Sequence, residues 1–288
     1  MKDIALLVGN GVNSLSSGLS WNQLLANIIA YCDCPDLKPH DSKPFPLFYE
    51  EIFLTSIKRG TIRKERDLKK FIAGEVRKIT PNDVHLMIRA LKPAHIMTVN
   101  YEYLLQGSEP AANDGLIQET TYSIFRRYRM NDITYWHLHG DCNNPTSINL
   151  GYEHYGGQLQ KMRNYITAIP DYKGDQIEKM SLARRLKHGA LNDIQSWIDL
   201  FFVKDVHIVG LNLDFVETDL WWLLTYRARQ QQYKKEFAVN NRVVYYIPKK
   251  FEMGAEFKLN VLKANGVEIE VIDKPHDLTY YREIFGRL

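Results

Sequence analysis

Ile4-Ala5-Leu6-Leu7-Val8-Gly9-Asn10-Gly11 is a run of five apolar residues ending in a tight glycine turn, and Ser20-Trp21-Asn22-Gln23 then opens a helix with the pattern of a capping box. That helix carries Leu24, Leu25, Ile28 and Ile29 on one face. Strand, glycine turn and amphipathic helix make one βα unit, and the bare backbone of such a turn can approach a phosphate. Beyond this unit, short apolar runs recur at 94–99, 134–138, 147–150, 206–209, 242–247 and 267–272, mostly separated by helical patterns. This alternation predicts an α/β fold, a Rossmann-like doubly wound parallel sheet covered on both faces.

The intervals predict helical insertions into one domain spanning 1–288. Residues 33–47 hold Pro35, Pro39, Pro44 and Pro46 without usable periodicity and read as a loop entering an insertion over about 33–90, whose charged tract 58–70 fits a solvated helix. Thr80-Pro81-Asn82-Asp83 predicts a helix start, with Thr80 as N-cap, Pro81 in the first turn and Pro93 as the stop. Helical patterns at 181–188 and 192–202 predict a second insertion over 156–200.

Composition narrows the function classes. The 45% hydrophobic and 12% aromatic content suffices for a buried core, and 11 prolines and 17 glycines argue against extended disorder. With 37 Lys and Arg against 34 Asp and Glu, the chain lacks the concentrated positive field of phosphate-backbone binding, so nucleic acid is not implied. The first apolar run is too short for a signal peptide or membrane span, which sets a soluble, cytoplasmic expectation without membrane attachment. Cys32, Cys34 and Cys142 are odd in number and lack CxxC spacing, so free thiols and no metal are expected; Cys32, Cys34 and His40 match no common zinc pattern.

Chemistry is expected at the strand ends, where open α/β sheets place it. Met97-Thr98-Val99-Asn100-Tyr101-Glu102 and Tyr135-Trp136-His137-Leu138-His139-Gly140-Asp141 deliver an amide and two imidazoles there. The Asn100 amide offers donor and acceptor to a water or ribose hydroxyl; its plainer reading is a turn residue tolerated for backbone geometry. One histidine is expected to face the cleft. Gly140 marks where the backbone leaves the sheet, which favours His139 as the titratable base and leaves His137 packed on the other face. Gly9-Asn10-Gly11-Val12-Asn13-Ser14 puts Ser14 where a dinucleotide fingerprint has its third glycine, and no acidic residue closes a second strand about twenty residues on. A hydride-transfer enzyme is therefore disfavoured, and a plain tight turn stays open. Val206-His207-Ile208-Val209-Gly210-Leu211-Asn212-Leu213-Asp214 repeats the strand-to-glycine pattern before a helix in which Trp221 and Trp222 read as packing residues. Phe125-Arg126-Arg127-Tyr128-Arg129 interleaves rings and cations but reads as a solvated surface segment, given the balanced charge.

Taken in order, these motifs resemble the sirtuin-like NAD-consuming family, especially its bacterial antiphage-defence branch, with some likeness to AbiH-type abortive-infection proteins. Gly9-Asn10-Gly11 is similar to the family's first glycine turn, Thr98-Val99-Asn100-Tyr101-Glu102 to its Thr-x-Asn-x-Asp segment, His139-Gly140 to its histidine–glycine pair and Gly210-Leu211-Asn212 to its late Gly-x-Ser turn. Residues 147–155 resemble its post-histidine strand and tyrosine-bearing loop, with Tyr155 as the tyrosine. The resemblance implies cleavage of the nicotinamide–ribose bond of NAD+, with Asn100 and His139 catalytic. It places Gly9, Asn10, Gly11, Asn13, Thr98, Gly140, Tyr155, Gly210, Asn212 and Asp214 on the NAD, as substrate and without metal. It further implies NAD depletion in defence, with self-association or a separate defence-system partner. A non-catalytic sensor of NAD or an ADP-ribose derivative is the competing reading. The chain departs from the family's protein deacylases in lacking two CxxC pairs, which disfavours deacylation, and in carrying Glu102 for Asp and Asn212 for Ser.

Overall fold

The computed structural model describes residues 2–167, 180–189, 191 and 194–288, apart from 18, 41, 111 and 116. The apolar runs form β1 (Lys2–Val8), β2 (Pro93–Thr98), β3 (Arg127–Met130), β4 (Ile133–His137), β5 (Asp205–Val209), β6 (Val243–Pro248) and β7 (Glu268–Ile272). They lie in one sheet of order β3-β4-β2-β1-β5-β6-β7. Every neighbouring pair is parallel except β3 with β4. Numbered among themselves, the parallel strands run 3-2-1-4-5-6, the Rossmann order, and the direction of winding reverses between β1 and β5.

Each central strand is buried on both faces. Along β1, Leu6 and Val8 join one apolar core while Ala5 and Leu7 join the other. The helices are α1 (Trp21–Tyr31), α2 (Phe45–Arg59), α3 (Glu65–Val76) and α4 (Asp83–Leu91) before β2, then α5 (Tyr152–Thr167), α6 (Leu182–Lys187) and α7 (Trp197–Val203) before β5. Next come α8 (Thr218–Arg229), α9 (Lys249–Glu252), α10 (Glu256–Ala264) and α11 (Leu278–Arg287). Helices α1 to α4 and α11 cover the first core; α5 to α8 and α10 cover the second. The fold is thus α/β and doubly wound, and residues 45–91 supply three helices to one face.

Several boundaries differ from expectation for identifiable reasons. The α1 capping box is present, with Ser20 Oγ accepting from Gln23 N. For α4 the N-cap is Asn82, not Thr80: Asn82 Oδ1 accepts from Val84 N at 2.8 Å, while the Thr80 hydroxyl is tied to Ser17 O. The run 147–150 forms no strand; a short 3-10 turn (Pro145–Ser147) takes in its first residue, and Asn149 N donates to His139 O instead of joining the sheet. Residues 125–129 are not a solvated segment. Phe125, Arg126 and Tyr128 are buried, and β3 pairs with β4 through a turn at Asn131 and Asp132, both at positive φ as a primed hairpin turn requires. The second insertion begins with α5 at Tyr152 and continues through α6 and α7; residues 168–179, 190, 192 and 193 of that interval lie outside the described residues. All three cysteines are free and buried. Among the described residues, no helix is long and apolar enough to cross a membrane.

Candidate active site at the sheet's switch point

The turns after β1 and β5 interlock at the point where the winding reverses. Gly9 N donates to Val209 O at 3.0 Å, and Gly11 N donates to Gly210 O at 2.7 Å. A Cβ on Gly9 would lie 2.5 Å from Leu211 Cα, and one on Gly11 2.6 Å from Gly210 O, so close backbone approach accounts for both glycines. Those N–H groups are engaged within the protein and are not open donors to a phosphate. After Gly9 the chain enters a 3-10 turn over Asn10–Leu15, not an α-helix.

Beside this junction, the Thr98 hydroxyl donates to Val8 O at 2.9 Å and accepts from Asn100 N at 3.0 Å, strapping the loop after β2 to β1. Asn100 is 4% exposed, and among the described residues neither its Nδ2 nor its Oδ1 makes a hydrogen bond of ordinary geometry. Thr98 pairs with His137 in the sheet register, so Asn100 and His139 stand at equivalent positions two residues further on. The two histidines separate sharply. His137 donates from Nδ1 to Asn100 O at 2.9 Å and accepts at Nε2 from Gln106 at 2.7 Å; burial holds its pKa low. It is packed, as expected, but strand alternation is not the cause, because residues two apart share a strand face. The separation arises because β4 ends at His137 and the chain turns away at Gly140, at φ +87°.

His139 is 2% exposed, with Nε2 2.9 Å from Asp219 Oδ2 and Nδ1 3.7 Å from Glu217 Oε2. The Tyr155 ring stands edge-on to the imidazole at 5.3 Å, and its hydroxyl donates to Glu217 Oε2 at 3.3 Å. Burial pushes the His139 pKa down, but Asp219 and then Glu217 outweigh it and lift the pKa to about 9. Burial also raises the Glu217 carboxyl, against the pull of His139. The same three side chains each offer a ligand atom within 4.8 Å of the others, so a divalent ion would find donors here too.

A second polar chain reaches the same edge of the sheet. His85 Nδ1 accepts from Asn82 N, so Nε2 carries the proton and donates to Asn13 Oδ1 at 2.9 Å; Asn13 Nδ2 donates to Glu102 Oε1 at 2.9 Å and to Asn10 Oδ1 at 2.8 Å. Burial and the Arg89 charge hold the His85 pKa down to about 4. Burial raises the Glu102 pKa, partly offset by Asn13 and by the nearby Asn100 amide, which still makes no hydrogen bond of ordinary geometry. Tyr101 links the two groups: after burial, Glu217 and Glu102 are the charges that push its phenol pKa up. Glu102 also lines a cleft of about 540 Å³ with Arg77, Asn82, Tyr103, Glu109 and Cys142.

The expected residues thus divide. Thr98 at the end of β2, Asn100, His139 and Gly140 on the loops after β2 and β4, and Tyr155 in the first turn of α5 lie at the carboxyl end of the sheet; Gly9, Gly11 and Gly210 form the junction beside them; Asn10 and Asn13 reach it through Glu102. Asn212 turns elsewhere, its Oδ1 accepting from Lys258 Nζ at 2.9 Å, and Asp214 is exposed with its carbonyl bound by Trp221 Nε1. Asp219, Glu217 and Tyr101 went unassigned from sequence. Acidic residues at a helix start are ordinary capping chemistry, so they gave no distinct signal. No protein-family model matches this chain, and no curated protein matches it in sequence.

Proposed function

We propose that this chain is an NAD+ glycohydrolase that cleaves the nicotinamide–ribose bond to give nicotinamide and ADP-ribose, as its resemblance to sirtuin-like NAD-consuming proteins implies. The observation that carries the reading is the buried Asn100 amide, which makes no hydrogen bond of ordinary geometry among the described residues, on the loop after β2 that neighbours the loop carrying the His139–Asp219 pair. A polar group left unpaired in the interior is destabilising unless something pairs with it, and a ribose hydroxyl or attacking water supplies both partners it lacks.

Departure of neutral nicotinamide leaves an oxocarbenium-like sugar and needs no strong acid. The carboxyl groups of Glu217, Asp219 and Glu102 provide negative potential for that cation. Asn100 orients the water or hydroxyl, and the Nδ1 of His139 takes its proton while Asp219 holds Nε2–H. With a pKa of about 9, only about 1% of His139 is deprotonated at pH 7 in the free protein. The pyridinium of bound NAD+ brings a second positive charge to the carboxylates, which favours loss of the imidazolium proton.

The test is nicotinamide release from NAD+ by the purified protein. Asn100→Ala and His139→Ala are each expected to lower it by roughly 10²-fold while remaining folded. Unchanged turnover in both would overturn the mechanism; NAD+ binding without release by the wild type would establish the sensor reading instead. Unrestrained NAD+ hydrolysis harms the cell that carries it, so the proposal includes a defence role in which self-association or a partner licenses turnover. Full activity of a dilute monomer without any activator would remove that part.

A further inference from the structure

Asn100 is joined by other orphaned amides at this edge of the sheet. Asn149 is 2% exposed and its Nδ2 has no partner; buried Gln158 donates from Nε2 to Leu138 O at 3.2 Å and leaves Oε1 unpaired. The Asn149 backbone is pinned on both sides. Its N–H donates to His139 O at 2.9 Å, and its carbonyl accepts from the Tyr101 hydroxyl at 2.8 Å. It is therefore fixed between the proposed base and the residue that comes after Asn100, on the segment leading into α5 and Tyr155. Buried polar side chains are normally hydrogen-bonded, and the Asn149 amide nitrogen makes no such bond among the described residues.

We propose that Asn149 is a second sugar-binding residue, its Nδ2 donating to one hydroxyl of a ribose whose neighbouring hydroxyl is held by Asn100. This rests on the NAD+ glycohydrolase reading and adds a substrate requirement: a ribose carrying both free 2′- and 3′-hydroxyls. A site built around a buried donor discriminates strongly against an analogue without the matching acceptor, because the donor is then left unpaired.

The experiment uses carbocyclic NAD+, in which the ring oxygen of the nicotinamide ribose is replaced by CH2, so that binding is read without cleavage. Calorimetry with the full chain is expected to show Asn149→Ala binding it roughly 10-fold more weakly than wild type, the loss of about one hydrogen bond. The melting temperature should not fall, since the side-chain nitrogen has no bond to lose. On wild type, the analogue lacking both hydroxyls on that ring should bind at least roughly 10-fold more weakly than the parent. Equal affinity of wild type and Asn149→Ala, or of the two analogues on wild type, in a protein that releases nicotinamide overturns this inference alone. A lowered melting temperature with unchanged affinity makes Asn149 a structural brace and also overturns it. A wild type that binds neither NAD+ nor the carbocycle overturns the glycohydrolase reading together with it.

Discussion

His139 couples stability and activity to pH in opposite directions. Its pKa is about 9 in the fold against about 6.5 in the unfolded chain, so the stabilisation from Asp219 and Glu217 is fully present below about pH 6.5 and is lost as pH rises through 9. The shift corresponds to on the order of 3 kcal/mol. Thermal melting of wild type is expected to fall between about pH 6.5 and 9.5 relative to Asp219→Asn, which loses the closer of the two acidic partners and keeps only Glu217 at 3.7 Å; parallel curves would contradict this. Nicotinamide release should run the other way, kcat/KM climbing toward pH 9 as the base form appears, with Asp219→Asn moving that limb to lower pH. Among these side chains the sequence was half legible. Asn100 and His139 announce themselves by ending apolar runs beside turn residues. Asp219 lies 80 positions from His139, and nothing local to either residue records their 2.9 Å contact.

The interlocked glycine turns are the element on which the site's geometry rests. Gly11→Ala would drive a methyl against Gly210 O and force the two turns apart, at a cost of about 1–3 kcal/mol and with loss of nicotinamide release. Gly74→Ala, within α3 and with open space around its Cβ, is the matched control and should stabilise by about 0.5–1 kcal/mol. Denaturant melts of the two variants check both signs; equal effects would mean that helix propensity, not turn contact, governs Gly11. Elements with a complete local signal, such as β1 and the capped α1, were legible. β3 was not, because its four residues carry Arg127 and Arg129, and only the Asn131-Asp132 pair that turns it back onto β4 marks a hairpin. The opposite error at 147–150 has the same origin: an apolar run predicts burial, and Ile148 and Leu150 are fully buried, but a strand also needs a neighbour with free backbone groups.

Across the whole molecule, periodicity identified strands and helices and hence the α/β class, but strand order is a property of long-range pairing that no local pattern contains. The order places β1 between β2 and β5, so the described site draws on both halves of the sheet: Asn100 and His139 from the half containing β2 and β4, and Glu217 and Asp219 from the loop and helix after β5. A ligand held there should couple those halves. At a hundredfold excess over its Kd, carbocyclic NAD+ is expected to stabilise the fold by about 2.7 kcal/mol, slowing exchange of globally protected amides by roughly 100-fold. Hydrogen exchange should show added protection in residues 9–15 and 210–218 together, along with the loops carrying Asn100 and His139. Protection confined to residues 77–109 would move the ligand to the neighbouring cleft beside Glu102, and protection in only one of the two turns would refute binding across the switch point. Asn100→Ala should weaken the coupling on both sides equally, because a single ligand spanning the crevice cannot release one half of the sheet while holding the other.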